Sequence, residues 1–472
     1  MSDGIKNINP KSSVGRSSSP VSFFHRTMAQ TMTMGGAPNH TSMPEQYHFK
    51  LEDPEAGTGL GITDPSEDVQ EPENHDTSLD FDDLPPFPTD VPTAPLLRIS
   101  LSKLLKGDES EVDRLWKASC ELGFFYLDLR SDDDTATTSG LRSPEAKELT
   151  SNVWDDIPEQ PPTVTRKASN SHEQHREVRI DGPQLLLDAA ELFTIGARLF
   201  SLPVPEKQKY DFKARGSYYG YKGYGEGVID AAGTRDRNEF YNVSKDDILG
   251  LSDPLPAPEV LYPHRPVLKS YMQQSHAVVT LLLRLLNARL DLPPDTLPSK
   301  HRLYAASGDQ VRFVRSPPQP EDDRKTALGE HTDFGSVTVL FNRLGGLQVL
   351  PPGTNEWCYV KPLRHHAVVN LGDAMVKFTR GVLRSNIHRV VNPPGEQGDA
   401  TRMSLVYFAR PEDHVLLKPL EGSRVVDANK VDGEDDEEEI TAKDWILRRA
   451  LGRRTGGDWG KSGGTEQGRL GS

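Results

Sequence analysis

The chain has 472 residues, enough for one large domain or two ordinary ones, but only 35% of them are hydrophobic, so part of the length cannot belong to a packed core. Its net charge of −15 repels phosphate backbones and argues against nucleic acid as the main partner. Two cysteines, Cys120 and Cys358, exclude a disulfide framework and a thiolate zinc site and make a reducing, cytoplasmic setting the default.

Residues 1–90 are polar and rich in Pro, Gly, Ser and Asp, which predicts a disordered N-terminal tail. Within it, residues 1–36 carry Lys6, Lys11, Arg16 and Arg26 against a single acid, Asp3. That composition resembles an organellar transit peptide, but no arginine-rich amphipathic helix accompanies it, and a plain tail is the simpler reading. Order is expected from about Ala94: PLLRISL as a strand, then ESEVDRLWKASCELG as a helix with Val112, Leu115, Trp116 and Ser119 at helical spacing, then GFFYLDL as a strand. Residues 131–180 are polar and turn-rich and read as a surface insertion.

Helical pattern resumes over residues 183–200. A Gly/Tyr-rich loop, GSYYGYKGYGEG, follows, and then a long helix over residues 266–290. The most apolar stretch of that helix, VVTLLLRLLNARL, is broken by Arg284 and Arg289 and falls short of a membrane span, so no membrane association is expected. From Gln310 the texture changes to short runs rich in Val, Leu, Phe and Tyr, separated by Pro, Gly and Asn: VRFV, SVTVLF, GLQVL, WCYVKPL, HAVVNL, NIHRVV and MSLVYF. Many short strands with frequent turns predict an antiparallel β core behind flanking helices. Residues 421–472 read as an acidic linker (GEDDEEE, 433–439), a short helix over TAKDWILRRALGRR with Thr441 as N-cap, and a disordered tail.

A facial triad of two histidines and one carboxylate holds Fe(II) while leaving positions open for O2 and a co-substrate. It needs a His-x-acid pair and a distant His. With 14 histidines and 70 acids, chance alone supplies about two such pairs. Two are present, His331-Thr-Asp333 and His175-Arg-Glu177. His331 and Asp333 head a β-rich run in which an extended backbone points residues i and i+2 the same way. His175 lies in the polar insertion, where nothing fixes its geometry, and reads as a solvated side chain. The HEQH at His172–His175 is not the HExxH zinc pattern. His388, flanked by strand formers, is the best third ligand, and His365 and His366 are competitors that read as loop residues. Shortly after His388, alternation in RMSLVYF puts Arg402, Ser404, Val406 and Phe408 on one face. A planar guanidinium and a hydroxyl there suit the far carboxylate of 2-oxoglutarate, although taken alone the motif is also that of an edge strand with a snorkelling Arg.

In this order and spacing, GEHTDFGSVTVLF, GGLQVLPPGTNEWCYVKP, AVVNLGDAM, LRSNIHRVVNPP and RMSLVYF resemble the Fe(II)/2-oxoglutarate dioxygenases of the isopenicillin-N-synthase-like class. LLRISL, ELGFFYL and LFSLPVPEKQKYDF resemble that family's N-terminal region. The resemblance implies a mainly β, double-stranded β-helix (jelly-roll) core over residues 310–411 within a dioxygenase domain of residues 91–420. It implies His331, Asp333 and His388 as iron ligands, Arg402 and Ser404 as the 2-oxoglutarate clamp, and Phe408 as a substrate-pocket aromatic. Asn370 and Asp373, in the NLGD turn, would be supporting residues rather than ligands. Fe(II), 2-oxoglutarate and O2 would be required, and ascorbate would be an optional reductant. The reaction would hydroxylate, desaturate or cyclise a small organic molecule, in keeping with secondary metabolism, and release succinate and CO2.

One departure is the strand before the His-x-Asp, VRFVRSPPQP, which has Arg315 and Ser316 where family members carry aromatics. Tyr218–Glu226 and the segment Asn238–Val243, with Tyr241, are the candidate substrate contacts, and a purely structural loop is an equal alternative for them. Two rival functions are a same-fold iron oxidase that uses no 2-oxoglutarate and a non-catalytic small-molecule binding protein. Composition carries no signal for oligomeric state.

Overall fold

In a computed structural model the described residues are 81–131, 178–229, 233–324, 326–430 and 439–455, and all lie in one unit, Pro72–Ser472. The expectations for residues 1–80, for most of the insertion with His172, His175 and Glu177, for most of the acidic run and for residues 456–472 fall outside them.

Among the described residues, twelve strands form two sheets. The larger has the order β1 (Leu97–Ser100), β2 (Phe124–Asp128), β10 (His366–Leu371), β7 (Val337–Asn342), β12 (Arg402–Ala409), β5 (Gln310–Ser316), β4 (Glu239–Ser244), β3 (Gly220–Lys222). The smaller has the order β6 (Leu328–His331), β11 (His388–Val390), β8 (Leu347–Val349), β9 (Cys358–Tyr359). Every pairing is antiparallel except β1 with β2. This is the expected jelly-roll arrangement, in which one face of the larger sheet lines a cavity and the other packs on helices.

The helices Gly182–Ser201 and Arg265–Arg289 cover the outer face of the larger sheet. Leu185, Leu192, Leu199 and Phe200 on the first, and Leu268, Tyr271, Met272, Val279, Leu282 and Leu286 on the second, are buried in the main core with Phe313, Leu405 and Tyr407. Pro183 starts the first helix, and the Asp181 carboxylate accepts from Gln184 N as its cap. At Gly196 the helix lies so close to the sheet that an added Cβ would meet the Phe313 ring at 2.9 Å. The close approach needs a residue without a side chain.

Four expectations are corrected. The packed chain begins before Ala94: Gln397 Nε2 donates to Pro85 O, and Phe87 stacks edge-on to Tyr359 with ring centroids 6.3 Å apart. The Gly/Tyr-rich segment and NEFYNV, read as loops, supply β3 and β4: β3 is an edge strand that tolerates Gly220, and β4 pairs on both sides, with β3 and β5. The fold does not end near Leu420. Val426 and Ser423 are fully buried, and the helix Ala442–Thr455, capped at Thr441 as anticipated, packs Ala442, Ile446 and Arg449 inward. His366, read as a loop residue, opens β10.

Behind the cavity floor, His301 is buried with Nδ1 against Leu297 O at 2.8 Å and Nε2 against Ser336 Oγ at 2.6 Å. Burial pushes its pKa down to about 4, so the folded ring stays neutral while an unfolded one takes up a proton below about 6.5. The unfolded state therefore binds more protons between pH 6.5 and 4, and stability falls as pH drops through that window, by roughly 3 kcal/mol in all. Melting curves between pH 7 and 4 are expected to show this loss, with a shallower slope in His301→Gln. A pH-independent melting temperature would contradict the account.

Candidate functional site

β6 and β11 place His388 directly opposite His331 as cross-strand partners. Their rings lie 4.1 Å apart between centroids. The His331 Nδ1 meets Gly329 O at 2.7 Å and the His388 Nδ1 meets Asn386 O at 3.1 Å. A carbonyl only accepts, so both Nδ1 atoms carry the proton and both Nε2 atoms present a lone pair.

Asp333 follows β6 in a tight turn. Its Oδ2 accepts from Thr338 Oγ1 at 2.6 Å and from Asn370 Nδ2 at 2.8 Å. Those bonds turn Oδ1 toward the two histidines, 4.0 Å from His331 Nε2 and 3.8 Å from His388 Nε2. One ligand atom from each of the three residues lies within 4.8 Å of the others, and no other such cluster of His, Cys, Asp or Glu occurs among the described residues. Two neutral imidazoles and one carboxylate on a shared point suit an octahedral divalent metal with half its positions open, so the donor set fits Fe(II). His365 and His366 lie elsewhere, with His366 3.7 Å from Asp128.

The turn after Asp333 is docked on the first residues of the helix Asp373–Thr379, since Asp373 N donates to Asp333 O at 2.8 Å and Ala374 N to Gly335 O at 3.1 Å. Asn370 and Asp373 thus act behind Asp333, the first on its carboxylate and the second on its backbone. Thr332 Oγ1 also donates to Asp373 Oδ2, at 3.0 Å.

β12 carries Arg402, Ser404, Val406 and Phe408 on the cavity face, as alternation anticipated. Arg402 is 3% exposed; its Nε donates to Gly345 O at 2.7 Å and its Nη1 lies 3.4 Å from Ser404 Oγ. No carboxylate of the described residues pairs with it. Burial pushes its pKa down to about 10, so it remains a cation at neutral pH. A buried, charged guanidinium with a neighbouring hydroxyl fits the far carboxylate of 2-oxoglutarate. The loop under it is held by Gly346, whose φ of +101° and close approach to Val391 O exclude a side chain. The Pro85–Phe87 strap reaches the same loop through Gln397, which accepts from Gly345 N at 2.9 Å.

On the strand that departs from the family pattern, Ser316 faces the cavity opposite Arg402, while Arg315 turns away to Glu239 at 2.9 Å. Asn238 and Lys222 extend this wall. Lys222 pairs with Asp236, whose carboxyl burial lifts above its ordinary value although the lysine opposes that. Tyr241 is a correction. Alternation along β4 sends Phe240 and Asn242 into the cavity and Tyr241 outward, buried against the helix layer. Lys222, Asn238 and Asn242 fall within the two segments read as candidate substrate contacts, whereas Arg312 lies outside them. Arg312 reaches the cavity because it pairs with Val406 of β12, on the face that Ser404 shares, a register the local sequence does not carry. The Arg312 guanidinium stacks 4.2 Å from the Phe240 centroid and 5.0 Å from that of Phe408. The cavity holds about 170 Å³, which admits a small molecule and not a macromolecule whole.

Comparison with known proteins agrees with this geometry. Residues 308–411 match the family model of the 2OG-Fe(II) oxygenase superfamily. A 2-oxoglutarate-dependent dioxygenase of Aspergillus fumigatus is 30% identical over 372 residues, covering 74% of this chain and 84% of that one. A 1-aminocyclopropane-1-carboxylate oxidase of Oryza sativa is 37% identical over 159 residues, but these cover only 33% of this chain and 48% of that one. Among solved structures, that of a full-length Neurospora crassa protein in complex with alpha-KG superposes with a TM-score of 0.54 at 20% identity, covering 75% of this chain and 95% of that one. With a 2-oxoglutarate-dependent relative matched along most of its length, the chain belongs to the 2OG-Fe(II) oxygenase superfamily.

Proposed function

We propose that His331, Asp333 and His388 hold Fe(II) and that Arg402 with Ser404 grips the far carboxylate of 2-oxoglutarate. The observation that carries this reading is the convergence of His331 Nε2, His388 Nε2 and Asp333 Oδ1 in the same cavity that the buried Arg402 lines. As a 2-oxoglutarate-dependent dioxygenase, the protein uses Fe(II), 2-oxoglutarate and O2. When bound, the metal would supply the activation of O2, the oxidant that couples decarboxylation of 2-oxoglutarate to oxidation of a substrate C–H bond.

The protein's own residues do the rest. Asn370 and Thr338 hold the Asp333 carboxylate so that one oxygen faces the metal position. Arg402 and Ser404 would hold the far carboxylate of 2-oxoglutarate. Phe240, Phe334, Phe408 and Val406 keep the cavity apolar and limit water. Arg312 and Asn242, joined by a 2.7 Å hydrogen bond, are the polar groups best placed to orient a small organic substrate. We take the oxygenase domain to extend from about Phe81 through the helix Ala442–Thr455. No helix among the described residues is long and apolar enough to cross a membrane. Cytoplasmic residence is our reading, supported by two unpaired cysteines and open to cell fractionation.

The test is anaerobic reconstitution with Fe(II) and then 2-oxoglutarate. A weak visible charge-transfer band is expected, followed by succinate release on admission of O2. Iron binding with neither band nor succinate would favour the oxidase reading, and failure to bind iron would overturn the metal assignment.

A further inference from the structure

The C-terminal helix Ala442–Thr455 carries an arginine that a solvated tail would not bury. Arg449 is 0% exposed, yet it is a charged residue. Its Nη1 donates to Asp373 Oδ2 at 2.9 Å, and Asp373 is equally buried. The same Oδ2 accepts from Thr332 Oγ1, the residue between His331 and Asp333. The guanidinium also stacks on Phe334, the residue after Asp333, at 4.5 Å from the ring centroid, and on Trp445 at 5.0 Å. Trp445 Nε1 donates to Phe334 O at 3.2 Å. The next residue, Ala450, lines the cavity itself. The helix therefore touches the His-Thr-Asp-Phe turn at its backbone, at the Phe334 ring and, through Asp373, at the Thr332 hydroxyl.

Burying a guanidinium and a carboxylate together is costly, and a stabilising contact between helix and sheet needs neither charge. Apolar side chains of similar volume would pack this seam at less cost. A charged pair gives direction: it fixes the orientation of Asp373, and Asp373 in turn fixes Thr332. We propose that Arg449 is a positioning residue for the metal site, acting through Asp373 and Thr332 on the geometry of His331 and Asp333, so that the C-terminal helix is part of the iron-binding apparatus. The proposal rests on the reading of His331 and Asp333 as ligands.

The experiment measures Fe(II) affinity and the visible band of the Fe(II)–2-oxoglutarate chelate, anaerobically, in the full chain. Arg449→Leu is expected to weaken Fe(II) binding by about 10- to 100-fold, the size usual for loss of an outer support of a metal ligand, and to shift the band. Arg449→Lys, which keeps the charge, should restore part of the affinity. Thr332→Val cuts the relay at its other end without leaving a buried charge unpaired, so it decides the matter even if Arg449→Leu does not fold. It is expected to weaken binding in the same direction. A helix with a merely structural role would lower the melting temperature of these variants and leave the affinity and band of the folded protein unchanged. Unchanged affinity in Thr332→Val, or in folded Arg449→Leu, overturns the proposal. Asp333→Ala separates the two readings: if it binds Fe(II) as tightly as the parent, the ligand assignment itself has failed.

Discussion

Asp333→Ala is expected to lose Fe(II) binding and, with it, both the chelate band and succinate release. The reason is the division of labour on one carboxylate. Oδ2 is held by Thr338 and Asn370, and Oδ1 faces His331 and His388. Removing the side chain deletes the only anion of the triad and leaves two neutral imidazoles, which bind a hard divalent iron weakly. It also leaves the Asn370 amide and the Thr338 hydroxyl without their buried acceptor, at about 1–3 kcal/mol for each such group. Asp333→Asn keeps the shape and loses the charge. It is expected to fold with nearly the parent melting temperature and still fail to retain Fe(II) on desalting. If Asp333→Asn binds iron and turns over like the parent, the carboxylate is not a ligand.

How much of this was open to reading from the amino-acid sequence depended on whether the signal was periodic. Alternation was sufficient for β12, where Arg402, Ser404, Val406 and Phe408 do share the cavity face, whereas Asp333 lies past the end of β6 and meets His331 through the turn that follows. The pairing of His388 opposite His331 could not be derived from alternation, because strand order is a property of the closed sheet. Tyr241 failed for want of one residue of register. NEFYNV alternates as well as RMSLVYF, but nothing local says which face is inward, and Tyr241 is read as the cavity residue in place of Phe240 and Asn242. The boundaries failed for a different reason. Pro85 and Phe87 lie in a proline-rich stretch, and Arg449 lies in a run of arginines beyond an acidic segment. Composition assigns such residues to solvent, and only tertiary partners, Gln397 for the strap and Asp373 for the helix, draw them in. Lys222 with Asp236 is the same case inside the cavity: two ordinary surface residues by type, made a wall by each other.

Arg402 bears the second large effect. Its guanidinium is buried beside Ser404 with no acid of the described residues to neutralise it, so the fold carries the desolvation cost of a cation in the wall of the cavity. A dianion that reaches Arg402 at one end and the metal at the other offsets that cost, and a monoanion without the far carboxylate does not. Arg402→Met, which keeps much of the volume, is therefore expected to raise the apparent Kd for 2-oxoglutarate by the 2–5 kcal/mol typical of truncating a buried charge pair, about 30- to several-thousand-fold. Fe(II) affinity without 2-oxoglutarate should stay near the parent value, because Arg402 pairs with Ser316 of β5 and donates to Gly345 O and Ser404, not to His331, Asp333 or His388. The two titrations, metal first and co-substrate second, check both halves. Equal losses in each would mean that the substitution disturbs the whole cavity and that Arg402 does not bind the co-substrate. Parent-like affinity for both would remove the clamp from the mechanism and, with succinate release absent, turn the assignment toward an oxidase of the same fold.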